Sequence, residues 1–257
     1  MARRSLSGLR VIVTGASSGI GRALVVELIR RGCQVVAMAR RQTRLEALAA
    51  ELGSPPKLKL AVGDVTRDED RAAALQMAED SFGGLDALVN NAGCGALGPF
   101  AEASSQRLRQ IMEVNFFAPA EFIRLALPVL RRGNRPIIVN VGSVLGHRAV
   151  PDKSEYCASK FALHGLSDAL RCELAPHGID LLLVSPSTTD TEFFDAAMGQ
   201  TTRPQRRLGA MPAAAVARGI ASAMAAGRRE IILPWSGKAL VWIDRLCPPL
   251  ADWIVTR

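Results

Sequence analysis

Tyrosine is almost missing from this 257-residue chain: Tyr156 is the only one, and all aromatics together make up 5%. The five cysteines (Cys33, Cys94, Cys157, Cys172 and Cys247) are odd in number and include no C-x-x-C pair. That argues against a disulfide framework and a cysteine-based metal knuckle, and predicts reduced thiols in a cytoplasmic setting. Metal-ligand spacing is absent from the linear sequence, so no metal is expected. No stretch reaches the ~18 uncharged apolar residues of a spanning helix. The first eight residues lead into a strand without an apolar signal segment. The net charge of +8 is carried mostly by arginine. No lysine-rich run or basic stripe interleaved with aromatics accompanies it, so nucleic acid is not expected as a partner. A solvated surface is the default reading of the excess. A phosphorylated cofactor or an anionic membrane surface are the functional readings.

With 49% hydrophobic and 22% charged residues, the chain can bury one large core. Short apolar runs at 9–14, 34–39, 58–62, 87–90, 136–141 and 179–184 read as buried strands. Amphipathic stretches near 20–31, 43–52, 68–80, 104–131 and 154–176 read as helices between them. Gly32, Gly53, Gly133 and Gly178 punctuate helix ends. Continuous apolar strands alternating with helices predict a parallel sheet covered on both faces. No linker, repeat or low-complexity tract divides residues 1–257, so a single doubly wound α/β domain is expected.

Tyr156 lies four residues before Lys160 and thirteen after Ser143. On a helix, i and i+4 share a face, so phenol and ammonium would be neighbours. A cation ~4 Å away at an effective dielectric near 20 is worth roughly 4 kcal/mol, or about three pKa units. That shift would bring a tyrosine into the working range of a general acid–base. The Asp152 to Glu155 spacing has the form of an acidic capping box, which would start the helix just ahead of Tyr156. Ser143 ends an apolar strand, at the edge where parallel sheets bind ligands.

The segment TGASSGIG at 14–21 follows the first strand and opens the first helix. Its glycines let the backbone turn sharply and approach a pyrophosphate on the helix N-terminus. At the end of the second strand, where a carboxylate would accept ribose hydroxyls, stand Arg40 and Arg41. A guanidinium there would meet a 2′-phosphate, a charge-assisted contact worth ~1.5–3 kcal/mol. NADP(H) is therefore expected over NAD(H), with Arg40 as the main contact and Arg41 in support.

Taken together and in order, TGASSGIG, Asp64-Val65, Asn90-Asn91-Ala92-Gly93, Asn115, Ser143 and Tyr156-Cys157-Ala158-Ser159-Lys160 resemble the short-chain dehydrogenase/reductase family. The resemblance runs from Gly8 to about Leu233. It implies a Rossmann-type fold with a seven-stranded, mostly parallel sheet. It also implies a cofactor site of Gly15, Ser17, Ser18, Gly19, Ile20, Gly21, Asp64, Val65, Asn91, Ala92, Gly93, Tyr156, Lys160, Pro186, Thr189 and Thr191. Asp64 would hold the adenine amino group, with Val65 near the ring. Ser143 would polarise a substrate carbonyl, Tyr156 would supply its proton, and Lys160 would lower the tyrosine pKa and bind the nicotinamide ribose. Asn115 would hold a water that links Lys160 to solvent. Where the family usually has Pro-Gly after the sixth strand, this chain has Pro186-Ser187. A homodimer or homotetramer, built through the long helices near 104–131 and 154–176, is also implied.

Residues 187–211 mix Phe193, Phe194 and Met198 with Arg203, Arg206 and Arg207, and have the position of a substrate lid. All three tryptophans fall in the hydrophobic extension 235–257, where Leu240, Ile243, Leu246, Leu250, Trp253 and Ile254 follow helical spacing. Packing on a partner subunit, covering the pocket and lying on a membrane surface are three readings of it. Cys94, Leu97, Val144, Leu145, His147, Val150, Phe193 and Phe194 are candidate pocket residues, His147 as a wall rather than a catalyst. The expected activity is interconversion of carbonyl and alcohol on a small hydrophobic, lipid-like substrate. A 3-oxoacyl-thioester reductase is the alternative, and a non-catalytic NADP-binding module the alternative outside enzymes.

Overall fold

The computed structural model describes residues 4–194, 196–199 and 210–256. Arg203, Arg206 and Arg207, and most of the expected lid beyond residue 199, lie outside them. Strands β1 (Arg10–Thr14), β2 (Gln34–Ala39), β3 (Leu58–Val62), β4 (Ala87–Asn90), β5 (Ile137–Val141) and β6 (Asp180–Pro186) match the apolar runs to within two residues. Two-residue strands β7 (Thr189–Asp190) and β8 (Met211–Pro212) pair with each other. A further strand, β9 (Glu230–Leu233), completes a seven-stranded sheet in the order β3-β2-β1-β4-β5-β6-β9, every pairing parallel. The order reverses between β1 and β4, and a crevice opens there at the carboxyl ends of the strands.

Side chains alternate across each strand and feed two cores. Val11 and Val13, with Val35 and Ala37, face helices α1 (Gly19–Arg30) and α7 (Ala213–Ala226). Ile12, with Val36 and Met38, faces α3 (Asp68–Phe82) and α5 (Ala118–Leu130). Both layers are dry: Leu24, Leu28, Phe122 and Leu130 are fully buried, each contributing ~1.5–3 kcal/mol relative to exposure. Helix α2 (Gln42–Glu51) follows β2 and puts Leu45 and Leu48 against the first core.

The long helix expected at 104–131 is not continuous. Helix α4 (Ser105–Met112) passes through a π-helical turn, Glu113–Phe117, before α5 begins. A π turn inserts one extra residue and re-aims the side chains it carries. Here it leaves Asn115 wholly buried. Ser104 caps α4, its hydroxyl accepting the Arg107 N–H.

Helix α6 (Ser154–Leu174) does not begin with the expected capping box. Its N-cap is Lys153, without a side-chain cap bond, and Asp152 sits in the left-handed region with φ 62°. Glu155 is instead turned inward, and Arg107 Nε of α4 donates to its Oε1 at 2.8 Å. Burial made the carboxylate a tie between helices rather than a local cap. Breaking a buried pair strands the other charge, at a cost of about 3–5 kcal/mol. Glu155→Ala is accordingly expected to lose about 3 kcal/mol or more in urea unfolding, and a loss below ~1 kcal/mol would contradict the tie.

Candidate active site

The loop between β1 and α1 shows why glycine is required twice. Gly15 has φ 66°, and a Cβ there would stand 2.8 Å from Asn91 Nδ2 and 2.9 Å from the Ala92 backbone. A Cβ on Gly21 would stand 2.3 Å from the Gly15 carbonyl oxygen. Thr14 Oγ1 accepts both the Asn91 and Ala92 N–H groups at 2.9 Å, and Asn91 Nδ2 donates to the Thr14 carbonyl. The Asn90–Gly93 turn thus braces the two central strands and forms the floor of the crevice. Ser17, Ser18 and Gly19 border a cleft of about 460 Å³ shared with Arg22, Arg44 and Thr191. Thr191 lies against Gly19, and Ile20 packs down onto the first core.

Arg41, rather than Arg40, is the guanidinium aimed at this loop. Its Nη2 donates to Ser17 Oγ at 2.9 Å and Ser18 Oγ at 2.7 Å. Arg40 is exposed and stands 3.5 Å from Asp64 Oδ2. Burial opposes ionisation of Asp64, but two bonds from Thr66 and the charge of Arg40 outweigh it and hold the carboxyl below its ordinary value. Val65 turns its carbonyl to Arg71 Nη1 and packs at the edge of the second core.

Asn115, Ser143, Tyr156 and Lys160 converge on the carboxyl ends of β4 and β5. Asn115 donates to the Cys94 carbonyl and Ser159 Oγ and accepts the Cys94 N–H, all at 2.9 Å. Both of its amide protons are used, so only an Oδ1 lone pair of the side chain remains for a water. Lys160 Nζ donates to the Val141 carbonyl at 2.9 Å. Gly93 leaves room beside it: a Cβ there would be 3.8 Å from Nζ and 3.1 Å from Asn115 Oδ1. Ser143 Oγ accepts the Leu145 N–H at 3.0 Å and reaches the Pro186 carbonyl at 3.4 Å.

The electrostatics differ from the sequence expectation. Burial pushes the Tyr156 phenol well above its usual range, and its hydrogen bond with Ser143 offsets only part of that. Lys160 Nζ lies 5.7 Å from the centre of the tyrosine ring, and burial lowers its pKa to about 8. Both side chains are enclosed, so desolvation favours the neutral form of each.

Phe193 and Phe194 close over Tyr156 edge-on, with ring centres 5.6 and 5.8 Å from it. Cys94, Leu145 and Met198 pack against the same cluster, whose buried members are Ala96, Ile111 and Tyr156. Burial raises the Cys94 thiol to about 11, so it is a wall and not a nucleophile. The segment returns to the loop after β4, where Met198 N–H donates to the Gly95 carbonyl and Leu97 N–H to the Met198 carbonyl. Val150 stands outside this cluster, its backbone turned to Cys157. Lys153, above the Phe194 ring at 4.2 Å, was missed in the sequence, as were Ile111 and Met198 as wall residues. Nothing in linear spacing signals contacts between segments so far apart in the chain.

Ser187, in place of the expected glycine, has ordinary negative φ. Its side chain fits because the opposing residue is Gly237 of α8 (Trp235–Leu246), where a Cβ would lie 3.1 Å from Ser187 Cβ and 2.9 Å from Val144 Cγ2. Pro186 gives its carbonyl to Ser143, and Thr189 Oγ1 bonds the Ser187 carbonyl. Helix α9 (Pro248–Thr256) is held beneath α8 by Arg148, which bonds Asp244 Oδ1 at 2.7 Å and also pairs with Asp252. His147 is no part of the lid cluster. It faces Ser185, Glu230 and His164, a grouping of metal-binding residue types that the sequence spacing concealed.

Residues 10–201 match the family model described as short chain dehydrogenase, and the chain belongs to that family. It is 37% identical over 198 residues to human L-xylulose reductase, covering 77% of this chain and 76% of that protein. It is 32% identical over 262 residues to a hydroxysteroid 11-beta-dehydrogenase 1-like protein of Xenopus tropicalis, covering 98% and 88%. A Burkholderia phymatum short chain dehydrogenase/reductase solved in complex with NAD superposes with a TM-score of 0.88 at 26% identity, covering 96% of each chain. The chain is thus an oxidoreductase of the alcohol–carbonyl type, using a nicotinamide cofactor.

Lys160 titrates at about 8 in the folded chain against an ordinary 10.5. Between these values the unfolded chain binds more protons, so this group makes stability rise with pH. Wild type is expected to gain stability relative to Lys160→Met as pH rises from about 8 towards 10 in urea titrations. A difference that stays constant across that interval would contradict a buried, depressed ammonium.

Proposed function

We propose that this protein is an NADP(H)-dependent reductase of a small hydrophobic ketone or aldehyde. The observation that carries the reading is the convergence of Tyr156, hydrogen-bonded to Ser143, with Lys160 and Asn115 under walls of Phe193, Phe194, Leu145 and Cys94. When bound, the nicotinamide supplies hydride to the carbonyl carbon. Ser143 Oγ, whose 3.4 Å bond to the Pro186 carbonyl is long, turns its hydroxyl to the substrate oxygen. Tyr156 donates its proton to that oxygen, completing the alcohol. Lys160, held on the Val141 carbonyl, stabilises the phenolate that forms, and Asn115 fixes the loop of Cys94 beside it. Apolar walls on the lid side favour a lipid-like substrate and exclude water from the reacting carbon.

For the cofactor, the glycine cradle fits a pyrophosphate, and Arg40, Arg41, Ser17 and Ser18 fit a 2′-phosphate. Arg41 supplies the principal charge because its guanidinium already lies on both serine hydroxyls. Asp64 and Val65 would border the adenine.

The chain would assemble as a homodimer or homotetramer through α4–α5 and α6, where Phe117, Leu125 and Phe161 are exposed. The inner face of α8 flanks the site. The outer faces of α8 and α9 present Trp235, Trp242, Leu246, Leu250 and Trp253 to solvent, a surface suited to a subunit or membrane interface. No helix among the described residues is long and apolar enough to cross a membrane.

The test is NADPH oxidation with a panel of lipophilic ketones, aldehydes and 3-oxoacyl thioesters. Turnover is expected with the ketones or aldehydes and should fall by ~10²-fold or more in Tyr156→Phe, the scale of a lost general acid. Tight NADPH binding with equal rates in both proteins would contradict the mechanism. Arg41→Ala is expected to raise KM for NADPH by about tenfold or more while leaving KM for NADH nearly unchanged. Equal effects on both cofactors would remove Arg41 from 2′-phosphate recognition.

A further inference from the structure

Behind the turn that carries Ser143, three side chains from separate elements meet. His147 follows the 3-10 turn Val144–Gly146, His164 lies one helical turn beyond Lys160 on α6, and Glu230 opens β9. One ligand atom from each lies within 4.8 Å of those of the other two. We propose that His147, His164 and Glu230 form a binding site for a zinc-type divalent cation, which clamps the Ser143 turn to α6 and the last strand of the sheet.

The donor set and its spacing carry the inference. Two imidazoles and a carboxylate suit zinc and its neighbours, whereas calcium and magnesium take oxygen-rich sets. His147 Nε2 stands 3.1 Å from Glu230 Oε1, close to the ~3.3 Å edge of a tetrahedron with metal–ligand bonds of about 2.0–2.1 Å. The His147 side chain is only 2% exposed, yet its Nδ1 has no hydrogen-bond partner. The ligating nitrogen is Nε2, which faces Glu230 and also lies 2.9 Å from Ser185 Oγ, with the ring proton on Nδ1. His164 Nδ1 is 3.1 Å from the Gly146 carbonyl, which can only accept. The neutral ring therefore carries its proton on Nδ1 and its lone pair on Nε2. A backbone carbonyl on the second nitrogen is the usual support of a metal-binding histidine. Glu230 is about one-third exposed and gives the ion a way in.

This site is separate from the cofactor cleft but shares a turn with the chemistry. Gly146 is pressed against α6, where a Cβ would stand 2.8 Å from the Lys160 carbonyl oxygen. Joining His147 to His164 fastens that contact.

The experiment is calorimetric titration of the full-length, chelator-treated protein with zinc sulfate, repeated with cobalt(II) to read the visible absorption of a tetrahedral ion. One ion per chain is expected, with a rise in thermal unfolding temperature. His164→Ala and Glu230→Gln should each weaken binding roughly 10–100-fold or more. His177→Ala and Cys172→Ser/Cys247→Ser, at positions remote from the site, should leave it intact. Circular dichroism of the metal-free variants separates lost binding from lost folding, and two ligand variants keep the test open if one fails to fold. Absence of stoichiometric binding in wild type, binding that survives both ligand substitutions, or binding that disappears with the exposed thiols would each overturn the site.

Discussion

Lys160 donates a hydrogen bond to the Val141 carbonyl at the end of β5, inside the protein, and the geometry of the site hangs on that bond. The ammonium needs a partner because it is enclosed, and the carbonyl is free because its strand has just ended. Satisfying both docks the first turns of α6 against the sheet edge. Tyr156, one turn earlier, is thereby brought beside Ser143, two residues beyond Val141. The cost appears in the depressed lysine and the raised phenol, both results of enclosure.

The cofactor side rests on a different device, close approach of backbone. Thr14 gathers two N–H groups from the Asn90–Gly93 turn onto one hydroxyl, and Gly15 and Gly21 allow the loop to lie against it without a Cβ. Such tight packing at the switch point of the sheet leaves the helix N-terminus of α1 facing the crevice. The apolar side of the site is built from segments distant in sequence: Phe193 and Phe194, the loop after β4, and Gly237 from α8. This division explains why the cofactor class is plain while the relatives' own names range from a sugar reductase to a steroid dehydrogenase.

What was legible in the sequence was whatever depends on local period or tight turns. Six strands stood out because a strand buried on both faces has to be apolar throughout, and the glycine loop stood out because its conformation admits few residues. β9 and α7 did not stand out. β9 is short and half-buried at the sheet edge, and α7 is an alanine-rich run with a single charged residue, Arg218, to mark its outer face. Asp152 and Glu155 had the spacing of a cap, but the pull of Arg107 across the interface turned Glu155 inward. Arg40 was the expected main contact and Arg41 its support, and only the direction of the β2–α2 turn separates the one that meets Asp64 from the one that meets the loop. His147 read as a pocket wall because its partners lie 17 and 83 residues away. Contacts made across elements are the part that one-dimensional spacing cannot display.

The central claim is direct hydride delivery to a carbonyl carbon in a site where Tyr156 supplies the proton. The most direct measurement is reduction of the best carbonyl substrate with NADPH deuterated at C4 of the nicotinamide, followed by NMR of the alcohol. The account predicts deuterium on the carbinol carbon, retained in ordinary water. An alcohol with hydrogen at that carbon, or none formed while NADPH is consumed, would contradict it.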